Sequence, residues 1–354
     1  MRWREITETL AITLAAILTA LLLFGAYLWI DRGVAPRDLY YWMYIGSFGT
    51  AFSWQNTLSR AAPLILTALC TALPARVGLI VIGGEGALML GGLAAVAAGL
   101  ALHGVPPVVG QLGMAAAGMV AGGTLIACVG LLRHLRGVNA TISSLLATYV
   151  AISIFSYLVE GPMRDPSTLN KPSTYPIPTE FAIGRMFGFD VHWGLAFGLI
   201  ACVVSYVLLY RTTFGFSAGM VGGNVNAAQA AGLHAGRIMV LTCALGGAAA
   251  GLAGMVEIAA VQNQANASLN AFYGFTGILV SFMARHHPLG IPFVAVLFGG
   301  LSAANGLLQR RLGLPDASIF CLQGTLFVTI LSFETLYRRF RIFMPREVRE
   351  AMAR

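Results

Sequence analysis

Charged side chains are scarce in this sequence: of its 354 residues, 10% are charged and 57% are hydrophobic. Soluble domains carry about 25% charged residues, so this chain lacks the polar surface that a water-soluble fold needs. The scarcity argues against a soluble enzyme. Glycine is instead abundant, with 42 residues, which suits membrane helices whose backbones pack closely. We therefore predict an all-α fold, a polytopic transmembrane helical bundle.

Sequence motifs of catalysis and metal binding are also missing. The five cysteines lie in separate apolar runs without a CxxC pair, which favours small core residues over a disulfide framework or a zinc site. The histidines show no metal-ligand spacing, and the motifs GxSxG, HExxH and GxxxxGK[ST] do not occur. We predict no catalytic residue, no metal site and no cofactor of the chain's own, and in particular no P-loop for ATP.

Long uncharged runs recur along the chain, and a helix needs about 20 apolar residues to cross the hydrocarbon core. They predict about ten spans, some of them discontinuous helices, at 9–30, 61–82, 86–102, 108–132, 138–160, 191–210, 237–262, 272–284, 289–308 and 317–337. The weakest are 61–82, which contains Pro74 and Arg76, and 272–284, which is short.

The basic residues predict the orientation of the spans. An even number of spans places both termini on one side, and that side also receives the turns near 133–136 and 285, the loop 211–237 and the basic tail 338–354. Lys and Arg favour the cytoplasmic side, so both termini are predicted to be cytoplasmic. The net charge of +8 then reflects membrane topology and does not indicate a nucleic-acid partner. The first apolar run is longer than a signal peptide's and is interpreted as an uncleaved span.

Two external segments are predicted. Residues 31–60 carry tyrosines and tryptophans, which suit the membrane–water interface. Residues 161–190 contain five prolines, which exclude a long helix and predict an extended loop. This loop could dock an extracytoplasmic partner or serve only as a connector.

The loop 211–237 contains the run NVNAAQAAG, which predicts a short helix of two to three turns on the cytoplasmic side. Asn224 can act as its N-cap, and Gly232 can end it. Because this helix is almost uncharged, it is poorly explained as a solvated face. It could be buried against a partner protein or lie in the membrane interface.

Four charged residues fall inside predicted spans: Arg76, Glu85, Glu257 and Glu334. Glu85 stands in the run GGEG between two apolar half-runs, where Gly84 and Gly86 predict a broken helix. Irregular backbone at membrane depth is tolerated where it lines a cavity or is buried in protein. The run is therefore a candidate for the substrate pathway, and the alternative is a tight cytoplasmic turn with a solvated glutamate.

Further polar residues lie on or beside spans. Ser and Thr on the span 138–160 could line a polar route or bond to their own helix. Amide side chains at the outer end of another span could meet a polar solute or cap the helix. The candidate pathway residues are Glu85, Gly84, Gly86, Asn139, Ser143, Thr148, Gln262 and Asn263.

Four stretches in order resemble the permease subunits of bacterial ABC importers for nucleosides and simple sugars, within the ribose and branched-chain amino acid permease group. LIVIGGEGALMLGGLAA resembles the family's N-I-G-x-E-G-Q segment, and GVNATISSLLATYVAISIFSYLVEGPMRDP its N-E-v-I-S-T-l-M-l-N-Y stretch with the following G-P-x-x-D-P. TTFGFSAGMVGGNVNAAQAAGLHAGR resembles its coupling region, and FMARHHPLGIPFVAVLFGGLSAA its G-R-x-H-P-x-G segment. The chain departs from the pattern at Ala140, Thr148 and Ala284.

The resemblance implies a permease subunit that moves a nucleoside, purine-like or simple-sugar solute inward by alternating access. It implies a separate ABC ATPase that binds the ATP, a second permease subunit homologous to this one, an extracytoplasmic substrate-binding protein and a bacterial inner-membrane location. A permease domain over 1–354 would comprise a family core at 61–337, a first span and external segment at 1–60, and a basic tail at 338–354. The main alternative is an ion-coupled secondary transporter of a small polar solute, with Glu85 and Glu257 as its titrating groups.

The resemblance also assigns the neutral cytoplasmic helix, placed at 222–236, as the coupling helix that docks in a cleft of the ATPase. The residues implied in this contact are Gly222, Asn224, Asn226, Ala227, Ala228, Ala231, Gly232 and Leu233.

Overall fold

The computed structural model describes residues 2–168, 171–186 and 188–339, with side chains from residue 14 to residue 333 within those ranges. Its α-helices are α1 Arg2–Arg32, α2 Pro36–Tyr44, α3 Ala51–Ala75, α4 Gly84–Ala101, α5 Pro107–Arg136, α6 Ala140–Glu160, α7 Gly194–Arg211, α8 Thr213–Gly223, α9 Val225–Ala230, α10 Ala235–Glu257, α11 Tyr273–Met283, α12 Ile291–Leu312 and α13 Ala317–Arg339. A π-helical turn, Ile258–Gln262, continues α10. The described residues form no β-strand, and the predicted all-α fold is confirmed.

Within the described part of the chain, eight helices are long and apolar enough to cross a membrane, and two shorter apolar helices, at Ala267–Met283 and Ala317–Phe333, accompany them. Each of the ten predicted spans therefore has a helix. The prediction 61–82 is wrong at both ends, since α3 covers Ala51–Ala75. Apolar residues continue beyond the end of α3, so the sequence did not reveal the turn that follows it at Gly78, whose φ of +75° is a left-handed conformation that favours glycine.

The predicted external segment 31–60 is mostly helical. Pro36 occupies the first turn of α2, where its missing N–H is not needed, and a π-helical turn at Ile45–Gly49 leads to α3. Tyr41 and Tyr44 are exposed while Leu39 is buried. The aromatic residues thus lie on an amphipathic helix.

The chain divides into two compact units, Met1–Ser53 with Leu301–Arg354, and Trp54–Gly300. In the first unit, α1 packs against α13, and the core contains Phe24, Leu28, Leu308 and Leu322. In the second unit, α4, α5 and α10 make the most extensive contacts.

Glycine explains how closely α4, α5 and α10 approach. A side chain at Gly251 of α10 would overlap the carbonyl of Gly118 on α5, and one at Gly254 would overlap the carbonyl of Leu88 on α4. A side chain at Gly91 would in turn come within 2.7 Å of the Gly251 carbonyl oxygen. The high glycine content therefore serves backbone-to-backbone packing of these three helices, as expected for helices in lipid.

The second unit has two distinct ends. At the loop end, the segment 161–193 pairs with the residues after α10: Thr174 N–H donates to Ala265 O at 3.0 Å, Ile177 N–H to Asn263 O at 2.8 Å and Ile183 N–H to Ala259 O at 2.8 Å. At the opposite, basic end lie the residues after α3, the α5–α6 turn, the α7–α10 connection and the turn 284–290. His134 and Gly236 meet there, as do Tyr210 and His287.

Candidate functional site

The segment 76–83 interrupts the membrane-spanning structure between α3 and α4. It turns back beside α3, where Thr71 Oγ1 donates to Val81 O at 3.1 Å. It also runs beside α6, where Thr141 Oγ1 donates to Ile80 O at 2.9 Å and Ile82 N–H donates to Ser144 Oγ at 2.9 Å. Hydroxyl side chains therefore satisfy the backbone groups that the broken helix leaves open.

Helix α4 starts beside the middle of α6. A side chain at Gly86 would come within 2.8 Å of the Thr148 Cα, and Thr148 lies near the middle of the 21-residue α6. The predicted discontinuous helix is thus present, with its break next to the centre of a full span.

Glu85 joins two helix N-termini at this break. It is the second residue of α4, and its carboxylate accepts hydrogen bonds from Phe272 N–H at 3.0 Å and Gly274 N–H at 2.5 Å, where α11 begins. Each helix N-terminus carries a partial positive charge that favours an anion. The side chain is fully buried, so the alternative of a solvated glutamate in a cytoplasmic turn is wrong.

The close approach of α4 and α11 depends on small residues. A side chain at Gly274 would overlap the backbone of Glu85. Helix α11 is also tied to α3, because Thr67 Oγ1 donates to Tyr273 O at 3.0 Å. Glu85 therefore holds an 11-residue half-helix against α4, and that half-helix runs from the break to the basic end.

The other candidate pathway residues occupy different places. Ser143 and Thr148 bond to carbonyls of their own helix, at Ala140 O and Ser144 O. Asn139 caps α6 by accepting from Thr141 N–H at 2.9 Å. Gln262 and Asn263 lie at the loop end, where α10 ends. Of these five residues, Thr148 packs beside Gly86, and the other four do not lie at the break.

Three hydroxyl residues outside the list of candidate pathway residues complete the break. Ser144 and Thr141 reach across to the segment 76–83, and Thr71 does so from α3. The run of hydroxyl residues on α6 was visible in the sequence, but which of them face the break depends on where α6 packs. Glu334 lies outside the residues whose side chains are described.

A short helix is present where the coupling helix was predicted, but it is shorter than expected. Helix α9 has six residues, and Asn224 caps it by accepting from Ala227 N–H at 3.1 Å. Gly232 follows it with φ of +83°, as the prediction of its end required. The single helix placed at 222–236 is wrong, because Asn224 separates α9 from a second helix, α8. Its glycine-rich sequence resembled a loop, but Thr212 caps it and Ala218 and Val221 bury its inner face.

Helix α9 presents an uncharged outer face and packs through Ala228. Asn226, Ala227, Ala231 and Gly232 are exposed. Ala228 is buried in one apolar cluster with Val77, Leu79 and Val81 of the interrupted segment. Leu233 is half-buried at the rim of that cluster, and Gly222 abuts the Arg76 carbonyl. Helix α9 therefore packs against the segment 76–83, which leads to Glu85.

The far end of α11 is held in an unusual turn. Arg285 and His286 both have positive φ, at 52° and 56°, which is rare for residues other than glycine. The His286 ring bonds Ser281 Oγ at 2.9 Å, and the His287 ring packs 5.3 Å from that of Tyr210. The Arg76 guanidinium lies over the Tyr210 ring, 5.1 Å from its centroid.

Among the residues described, no group of three or more His, Cys, Asp or Glu could hold a metal ion. The buried carboxylate of Glu85 is committed to backbone N–H groups instead. The arrangement is that of an ordered, polar junction between half-helices, and it contains no nucleophile paired with a base.

Comparisons with known proteins agree with this geometry. Residues 53–331 match the family described as "Branched-chain amino acid transport system / permease component". The glucose ABC transporter permease protein TsgB13 of Haloferax volcanii is 32% identical over 92% of this chain and 88% of its own length. The nucleoside permease NupB of Lactococcus lactis is 29% identical, covering 87% of both chains. The guanosine permease NupP of Bacillus subtilis is 28% identical over 82% of this chain and 84% of its own.

The family match covers most of the chain, including both half-helices and the α8–α9 region. The chain therefore belongs to the branched-chain amino acid transport system permease family and is a multi-pass permease subunit of an ABC importer.

Proposed function

We propose that this permease moves a neutral nucleoside or simple sugar inward by alternating access, driven by a separate ABC ATPase that docks on α9. The observation that carries the proposal is the placement of α9. Its outer face is exposed and uncharged, while its inner residue Ala228 packs on the segment 77–81 that leads to Glu85. A movement imposed on α9 would therefore reach the junction of α4 and α11.

The proposed solute class rests on two arguments. The relatives are named as permeases for glucose, nucleosides and guanosine, all of which are uncharged polar solutes. In addition, Glu85 already occupies the two helix N-termini at the junction. In transporters whose half-helix N-termini are free, those ends bind anionic groups of the substrate. Here the Glu85 carboxylate neutralises these positive helix ends, so the junction suits an uncharged solute.

The remaining parts of the proposal follow from the family. A homologous permease subunit would pair with this one, and an extracytoplasmic binding protein would deliver the solute at the loop end, where Thr174, Ile177 and Ile183 pair with the residues after α10. The basic end would face the cytoplasm, with both termini on that side, in the plasma membrane. ATP would bind only to the partner ATPase.

Site-directed cross-linking tests the docking of α9. The exposed cysteines Cys128 and Cys321 are first replaced by serine. A single cysteine is then introduced as Ala227→Cys or Ala231→Cys, and membranes are treated with a short bifunctional reagent. We expect both variants to cross-link to a protein that contains a Walker A sequence, identified by mass spectrometry.

Ala228→Cys is the matched control, because it lies on the same helix but is buried. It should give no cross-link while the protein remains in the membrane. Equal cross-linking at all three positions, or none at Ala227 and Ala231, would contradict α9 as the docking element.

A further inference from the structure

A second polar cluster lies in the same unit, beyond Glu85 and next to the start of α11. It joins Arg60 of α3, Glu257 of α10 and Tyr273 of α11, three residues from helices that are predicted to span the membrane. Glu257 is buried, with 5% of its surface exposed, whereas Arg60 and Tyr273 are partly exposed. The cluster therefore combines a buried charge with groups that a solute could reach.

The members of the cluster are neighbours in space. The Glu257 side chain lies beside that of Gln262 and in the field of the Arg60 guanidinium. The Arg60 guanidinium also lies beside the Tyr273 side chain, and its Nε donates to Asn56 Oδ1 at 3.3 Å. Polar side chains of α3, α10 and α11 thus converge at one place.

The backbone of Tyr273 is fixed on both sides by the junction. Glu85 accepts from the N–H groups of Phe272 and Gly274, the residues before and after it. The carbonyl of Tyr273 accepts from Thr67 Oγ1. Any shift of α11 relative to α4 would therefore carry the Tyr273 ring with it and change its position relative to Glu257.

Burying a charged group is expensive. Removing a carboxylate from water costs several kcal/mol, and apolar side chains of similar volume often hold a fold as well or better. Charged residues inside membrane helices mark substrate paths and relays for the same reason. The chemistry of the cluster is also that of a binding site: a carboxylate accepts hydrogen bonds, a guanidinium donates them, and a phenol offers an apolar ring with one hydroxyl.

We propose that Arg60, Tyr273 and Glu257, supported by Asn56 and Gln262, form the point at which this permease selects its solute. The site takes an uncharged molecule whose hydrogen-bond donors stand beside an acceptor, as on the edge of a purine base or on a sugar diol. Glu257 accepts from the donors, Arg60 donates to the acceptor, and the Tyr273 ring covers the flat or apolar face. This inference rests on the proposed function and specifies the residues that read the solute.

The test is a competition assay on the complete importer, reconstituted in proteoliposomes with its ATPase and binding protein. Uptake of radiolabelled guanosine and of glucose is measured against unlabelled analogues: inosine and 1-methylguanosine for the base edge, and 2-deoxyglucose for the diol. The wild-type protein and the Glu257→Gln, Tyr273→Phe and His103→Gln variants are compared with the same binding protein, so its own preference cancels in the ratio. His103 is exposed at the loop end, outside the cluster.

We expect Glu257→Gln to raise KM for the transported solute by about tenfold, the usual scale for losing a hydrogen bond to a charged group. The analogues that lack a donor should lose less, so the rank order of competitors changes. Tyr273→Phe, which removes only a hydroxyl, should change that order in the same direction by a smaller factor. His103→Gln should match the wild type. A change among the base analogues identifies a nucleoside as the solute, and a change with 2-deoxyglucose identifies a sugar.

The inference would be overturned if the variants slowed uptake of every analogue by one common factor, or left the rank order of competitors unchanged, because the cluster would then be structural. If Glu257→Gln fails to reach the membrane, Tyr273→Phe alone decides between these results. A different failure, in which wild-type protein shows no ATP-dependent uptake of any of these solutes, would contradict the proposed function itself.

Discussion

Helix α4 makes two different kinds of contact, one through close backbone packing and one through side-chain hydrogen bonds. Along its length it meets α5 and α10 through glycines, backbone against backbone. At its first turn it meets α11 through the Glu85 carboxylate, and the segment before it is secured by hydroxyls of α3 and α6. The first contact leaves no room for adjustment, whereas the second consists of a few hydrogen bonds that can be exchanged. The difference suggests a fixed scaffold and a movable junction on one helix.

The largest expected effect comes from breaking the scaffold. Gly251→Leu places a side chain where the Gly118 carbonyl now lies, so α5 and α10 must separate. Overpacking a core costs about 1–3 kcal/mol even where side chains can yield, and here the obstacle is backbone. We expect the protein to be lost from the membrane fraction, as measured by immunoblot.

Gly324→Leu is the matched control, because this helical glycine of α13 has open space around it. It should accumulate like the wild type. Normal accumulation of Gly251→Leu would refute the close packing of α5 and α10.

A smaller effect is expected at the junction. Ser144→Ala removes the acceptor of the Ile82 N–H, which leaves a donor of the broken segment unpaired at a cost of about 1–3 kcal/mol. We expect a lower melting temperature in detergent, by a few degrees, and slower uptake. Ser143→Ala is the control on the next residue, where the hydroxyl bonds only to its own helix. Equal shifts in the two variants would mean that Ser144 does not secure the break.

The smallest expected effect concerns the turn that ends α3. Gly78→Ala puts a side chain on a residue with φ of +75°, and such a conformation costs an L-residue about 1–2 kcal/mol. The added carbon would also lie 3.4 Å from the Gly222 carbonyl oxygen, an ordinary contact. We therefore expect a melting temperature only slightly lower than that of the wild type, without loss of protein. A large loss would indicate that α8 and the segment 76–83 fit more tightly than these distances imply.

The scaffold could be predicted from the sequence to a large extent, because apolar length and glycine content report directly on spans and close packing. The break at GGEG was predictable too, since glycines around a charge are incompatible with a simple span. What the sequence could not reveal was the partner of Glu85. Its contacts with Phe272 and Gly274 join positions almost 190 residues apart, and only the packing of α11 brings them together.

Local sequence patterns also led to wrong predictions where tertiary packing determines the structure. The glycine-rich run of α8 looked like a loop, yet a cap and a buried face make it helical. Ala228 looked like a docking residue because it lies in an exposed helix, yet its side chain faces the core. In a helix of six residues, the orientation of the helix about its axis determines which side chains are exposed to a partner. Amino-acid composition does not reveal this orientation.

In the proposed function, Glu85 joins the half-helices through which ATPase docking acts on the solute pathway. This role is tested by measuring ATP-driven uptake and ATP hydrolysis together on the Glu85→Ala importer in proteoliposomes. We expect the protein to reach the membrane and still bind its ATPase, while uptake falls at least about tenfold because two buried N–H groups lose their acceptor. Uptake kinetics equal to those of the wild type would contradict it.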